Sequence, residues 1–136
     1  MTQFKIRQFH IGNDYFNKDK EELNFKIGRN YKGDKDIIKQ AIKKKYYKDV
    51  ALIDAKNLEH AFHIGNVEHD KVKKFNTFYS LSVGDIVEDV NNGNQFVVAS
   101  LGFFLLQNKY GKYQNRFTKK GYKPAYKEYN KGQKNF

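Results

Sequence analysis

The run Asp85-Ile86-Val87-Glu88-Asp89-Val90, then Asn91-Asn92-Gly93-Asn94, then Gln95-Phe96-Val97-Val98-Ala99-Ser100-Leu101 constrains the fold more than any other stretch. Two β-rich segments joined by an Asn-Gly turn specify a hairpin, because Asn and Gly accept the positive φ that a tight turn demands. Gly102 then permits a sharp turn into Phe103-Phe104-Leu105-Leu106, a last strand.

Upstream, Phe4, Ile6, Phe9 and Ile11 alternate with a slip, which predicts a first strand over residues 4–11 carrying a bulge. Residues 15–30 read as a polar loop with a short helix around Lys18 to Phe25. Asp34 is placed to cap a clear helix in which Ile37, Ile38, Ala41, Ile42 and Tyr46 recur at three and four residues, with Lys39, Lys43 and Lys44 opposite. Asp49 to Ala55 is a short apolar run flanked by charge and reads as a buried strand. Asn57 caps a second short helix, which Gly65-Asn66 ends, and residues 67–77 form a charged connection. The order predicts an α+β domain over residues 1–106, with a small, mostly antiparallel sheet and two short helices.

Within that domain, Leu58-Glu59-His60-Ala61-Phe62 follows a strand, Tyr79-Ser80-Leu81-Ser82-Val83-Gly84-Asp85-Ile86-Val87 precedes the hairpin, and Phe96-Val97-Val98-Ala99-Ser100-Leu101-Gly102-Phe103 closes it. This succession over residues 50–106 resembles the YodL-like small accessory proteins of phages and mobile elements. The resemblance implies a product of a phage or plasmid acting in host takeover or counter-defence. It supplies no catalytic residue, and it stops before Gln107.

From Gln107 to Phe136 the composition changes. Nine Lys and Arg stand against one acid, Glu128, and seven Tyr or Phe are threaded between them. A cation about every three residues with aromatics between suits a phosphate backbone whose exposed bases can stack. Residues 107–136 are therefore read as a basic, aromatic C-terminal arm. Lys109, Tyr110, Lys112, Tyr113, Arg116, Phe117, Lys119, Lys120, Tyr122, Lys123 and Lys127 are its candidate nucleic-acid or partner-binding residues. Only Arg7, Arg29 and Arg116 among the 26 cations are arginines. Bidentate readout of bases is accordingly scarce, and binding by charge and stacking is expected instead.

The chain has no cysteine, which excludes disulfides, thiolate metal sites and a thiol nucleophile. No apolar run approaches the ~18 residues of a membrane span, and the N-terminus lacks the apolar stretch of a secretory signal. The host-cell cytoplasm is the expected compartment, with no membrane partner and no cofactor. His60, His63 and His69 with Glu59 and Asp70 lack a fixed third-ligand spacing and read as surface or core-edge histidines, not a metal site. Asp85, Glu88 and Asp89 lack a cleft, and Asp85 is expected to bond backbone amides at the turn by Gly84. Gly28 to Asp34 has basic residues before a helix but not the spacing of a phosphate loop. Lys43-Lys44-Lys45 with Tyr46, Tyr47 and Lys48 either extends the arm's positive surface or is a solvated helix face.

No nucleophile, metal set or phosphate loop survives this weighing, so a non-enzymatic binding protein is expected. Its partner is nucleic acid or a nucleoprotein gripped through the arm. The alternatives are a direct inhibitor docking on an acidic surface of a host or defence protein, and a structural component of the virion.

Overall fold

Six strands and three α-helices are laid out in a computed structural model that describes residues 1–10, 17–29 and 34–107. The first strand, β1 (Thr2–Phe9), lies in the interior of the sheet. β2 (Tyr47–Ala55) flanks it on one side and β4 (Ile86–Asp89) on the other, both antiparallel to it. β3 (Lys73–Lys74) is the edge beyond β2, and β5 (Gln95–Val98) and β6 (Phe103–Gln107) follow β4. The order is β3-β2-β1-β4-β5-β6, and every pairing is antiparallel.

Strand alternation sends successive side chains to opposite faces, and here both faces are covered. Phe4, Ile6, Ile53, Val87 and Val98 pack on one face under α3 (Leu58–Val67). Tyr47, Ile86, Val97 and Leu106 pack on the other under Leu23 and Ile27 of α1 (Lys18–Gly28) and Ile38 and Ala41 of α2 (Lys35–Lys43). Burying each large aliphatic of this kind contributes about 1.5–3 kcal/mol.

The mostly antiparallel α+β reading holds, with α1 as a third helix that runs to Gly28, past the expected end at Phe25. Only Leu23 and Ile27 of α1 are buried, so its sequence carries little periodic signal. The expected bulge is also found, but on the partner strand. Ile6 pairs with Ala51 and Arg7 with Asp49, which leaves Val50 of β2 as the extra residue. The inward alternation of β1 continues from Phe4 and Ile6 to Gln8, and Phe9 belongs with the opposite face. β1 ends at Phe9, short of the expected Ile11, which lies outside the described residues.

Tyr46 does not continue α2. The helix stops at Lys43, and the amides of Lys45 and Tyr46 turn back onto the carbonyls of Ile42 and Ala41. This pair of bonds requires a left-handed residue, and Lys45 supplies it at φ 65°. β2 thus begins at Tyr47, before the expected Asp49. Gly65 does not end α3, which continues to Val67. A Cβ on Gly65 would lie 2.9 Å from Leu81 Cδ1, so the glycine serves close packing there. The neighbouring Asn66 Oδ1 accepts from the Leu81 amide.

The hairpin strands are shorter than the sequence suggests, since Val98 is the last residue of β5 and the Ala99 amide donates to the Gly102 carbonyl. Asp89 closes the Asn-rich loop by accepting from the Asn91 amide and Asn92 Nδ2. Gln107, assigned from sequence to the arm, is the last residue of β6 and pairs with Gln95.

Gly84 has a tightly restricted backbone. Its φ is +97°, and a Cβ there would meet Ile27 Cγ2 at 2.2 Å. Gly84→Ala is expected to cost about 2–4 kcal/mol, through the left-handed penalty plus overpacking against α1. Lys45→Gly, at an exposed left-handed position, is expected to stabilise by about 1 kcal/mol. Urea unfolding of the two variants reads both signs, and a stabilised Gly84→Ala protein would contradict the packing described.

Candidate functional site

Gln8 continues the inward alternation of β1 but carries an amide into the core, where it is 3% exposed. A buried amide is tolerated only when its hydrogen bonds are made. Gln8 Nε2 donates to the Tyr79 carbonyl at 2.7 Å and to Asp85 Oδ2 at 3.0 Å, and Oε1 accepts from the Tyr79 amide at 3.0 Å. The side chain thus pairs with the main chain of Tyr79 as a neighbouring strand would. Asp85 Oδ2 also accepts from the Ser82 amide at 3.0 Å, the expected backbone bond at this turn. Burial pushes the Asp85 carboxyl up to about 7, with the Ser82 and Gln8 bonds opposing the rise. Beside it, the buried Tyr47 hydroxyl donates to the Gly84 carbonyl at 2.6 Å. Burial, and then the Asp85 charge, hold that phenol above its ordinary range.

This polar core holds the segment after β3 against the end of the sheet. The amides of Phe75 and Asn76 both donate to the Val50 carbonyl, at the bulged residue of β2. From there the chain crosses to Gln8, which grips Tyr79 by its backbone only. The Tyr79 ring is 62% exposed and meets His10 edge-on at 6.0 Å, and Phe75 is 55% exposed. Burial, and then Lys48, lower the His10 pKa, against a bond to the Thr77 backbone. Lys48 pairs with Gln8 and Lys74 with Ala51, so both lie on the face that Gln8 occupies. Lys73 and Lys74 make up the exposed edge strand. The result is a surface with two exposed aromatics among lysines, in the stretch that sequence reading treated mainly as a charged connection. Phe75 within that connection, and Phe78 and Tyr79 just after it, are the available signal.

The other sequence candidates separate. His60 Nδ1 accepts from the Lys56 amide, His63 meets Glu68 at 3.2 Å, and His69 meets Ser80 Oγ at 3.2 Å. Among the described residues, no three histidine or acidic side chains are grouped to hold a metal ion. Asp85 is buried, Glu88 faces Lys5 at 3.8 Å, and Asp89 closes the hairpin, so no two of the three act as a pair. Arg29 stacks over Phe25 and Asp34 accepts from the Asp36 amide as the α2 cap, while residues 30–33 lie outside the described residues. The Lys43–Lys48 run is divided. Lys44 and Tyr46 both bond Asp19 of α1, Tyr47 is core, and Lys48 joins the surface around Tyr79.

The arm candidates Lys109, Tyr110, Lys112, Tyr113, Arg116, Phe117, Lys119, Lys120, Tyr122, Lys123 and Lys127 all lie outside the described residues. Its root is at Gln107, in a cross-strand row that runs Lys73, Leu52, Lys5, Glu88, Gln95, Gln107. Among the described residues, no helix is long and apolar enough to cross a membrane. Comparisons with protein-family models, curated proteins and solved structures give no match.

The raised Asp85 pKa has a definite consequence for stability. Between the ordinary carboxylate range and about pH 7, the folded state holds a proton that the unfolded state has released. Stability contributed by this group therefore falls as pH rises from about 4 to about 7 and is level above that. Asp85→Asn keeps an acceptor for Ser82 and Gln8 without the charge. It is expected to abolish this slope and to be the more stable protein at pH 8, as read by denaturant midpoints across pH. Gln8→Ala strands the Tyr79 amide, the Tyr79 carbonyl and Asp85 together. It is expected to lower stability by about 2–4 kcal/mol, well beyond the loss of one ordinary hydrogen bond.

Proposed function

We propose that this chain is a non-enzymatic nucleic-acid-binding protein, with residues 1–107 as a rigid platform and residues 108–136 as the main gripping element. The observation that carries the reading is the charge distribution along the chain. Nine of the 26 cations fall in the last thirty residues beside a single acid, interleaved with seven aromatic rings. Lysine charge supplies sequence-independent attraction to phosphate, and aromatic rings supply stacking that tolerates any base. The scarcity of arginine favours non-specific grip over reading of sequence.

The resemblance of residues 50–106 to YodL-like proteins supports a setting in host takeover or counter-defence by a phage or mobile element, in the host cytoplasm. The segments that carry it fall on α3, on the turn into β4, and on β5 and the start of β6. A second reading, inhibition of a host or defence protein, is favoured by β6. Among the described residues no strand pairs with its outer side, and its sequence Phe-Phe-Leu-Leu-Gln lacks the charges that guard β3.

Fluorescence anisotropy with the full chain and labelled oligonucleotides tests the first reading. Engagement of about seven phosphates by the arm predicts a log–log salt slope of about −5 on single strands. Changing Lys109, Lys112, Lys119 and Lys120 together to Gln is expected to flatten that slope by about 3. Binding that ignores salt, or that survives the four changes intact, would sink the reading. Capture of one protein from nuclease-treated lysate would favour the inhibitor instead.

A further inference from the structure

We propose a second nucleic-acid site, on the folded domain itself: residues 73–79 with Lys48 form a platform for single-stranded nucleic acid. Tyr79 and Phe75 stack on bases, and Lys48 and Lys74, on the Gln8 face of the sheet, meet the phosphates. This inference rests on the nucleic-acid reading above and narrows its ligand to the single strand.

Isolated exposed aromatics are ordinary on protein surfaces. Tyr79 differs in how it is held. A buried glutamine secures its backbone amide and carbonyl, and that glutamine is itself held by a bond to the buried Asp85. Its ring takes no part in those bonds, is 62% exposed, and leans edge-on against His10. A ring fixed from behind and open in front loses little freedom when a base stacks on it. Phe75, 55% exposed, is anchored through its amide to the bulged Val50, farther along the same segment.

The charges fit the same ligand. Lys71 is taken up by Glu68 at 2.8 Å, and from Val72 to Tyr79 the segment carries Lys73 and Lys74 and no acid. Asp49, next to Lys48 in sequence, is turned toward Lys5 and Arg7 at 3.5 and 3.1 Å. All the cations of the platform are lysines, which bind phosphate as point charges and do not read base edges. Stacking on Tyr79 needs a base with a free face, which a duplex withholds and a single strand offers.

The test is anisotropy of the full chain with a fluorescein-labelled 20-mer of thymidine and with a 20-base-pair duplex, at one salt concentration. Wild type is expected to bind the single strand more tightly. Tyr79→Ala is expected to weaken that binding about ten-fold while leaving duplex binding unchanged. Tyr79→Phe, which keeps the ring, should remain within about two-fold of wild type. The unfolding midpoint of Tyr79→Ala should match wild type, because the anchoring bonds belong to the backbone. If Tyr79→Ala binds the 20-mer like wild type, or wild type prefers the duplex, the platform is overturned. The arm reading then still stands, provided that the four Lys→Gln changes weaken binding. If wild type binds neither probe, both readings fall.

Discussion

The amide of Gln8 joins segments that lie more than seventy residues apart, and the end of the sheet is organised around it. It meets Tyr79 and Asp85 at sequence separations of 71 and 77. Without those partners, an amide at 3% exposure would be a cost of several kcal/mol. With them it sets where the chain leaves the β3 edge, how residues 79–85 cross the core, and where β4 begins. Gly84 belongs to the same arrangement. Its positive φ and lack of a Cβ let Ile27 of α1 come close, and its carbonyl receives the Tyr47 hydroxyl.

Charge is placed with comparable economy on the rest of the sheet. Lys5 and Arg7, on the face opposite Gln8, engage Asp49 and Glu88 across neighbouring strands. These pairs are partly exposed, so each contributes little to stability; they neutralise the centre of the sheet. Lys73 and Lys74 of the edge strand and Lys48 take no part in these pairs. Lysines on a two-residue edge also discourage another strand from adding there, whereas β6 at the other edge has no such guard.

Local signals carried most of the fold. The Asn-Gly hairpin, the caps Asp34 and Asn57, and the apolar run of β2 are short-range features found in the structure, although at the hairpin turn Gly93 takes positive φ and its asparagines do not. The boundaries moved where tertiary contacts overrode local preference. α3 runs through Gly65 because Leu81 packs there, and β5 stops at Val98 because the chain turns at Gly102. α1 was faint because just two of its side chains, Leu23 and Ile27, are buried. The surface around Tyr79 was not legible for a different reason. Nothing local to Tyr79 marks it as pinned, since the pinning groups come from β1 and from the start of β4.

By itself, the sequence determined the α+β class, the antiparallel hairpin, and the break in composition at residue 107, because propensity, turn chemistry and charge act over a few residues. Only the tertiary structure decided that β1 lies between β2 and β4. It also decided that Val50, and not a residue of β1, is the bulge, and that Gln8 and Asp85 meet. Those outcomes depend on burying both faces of one sheet while giving the amide of Gln8 and the carboxyl of Asp85 their partners in the core. That condition is met by the whole chain at once, and no single segment records it.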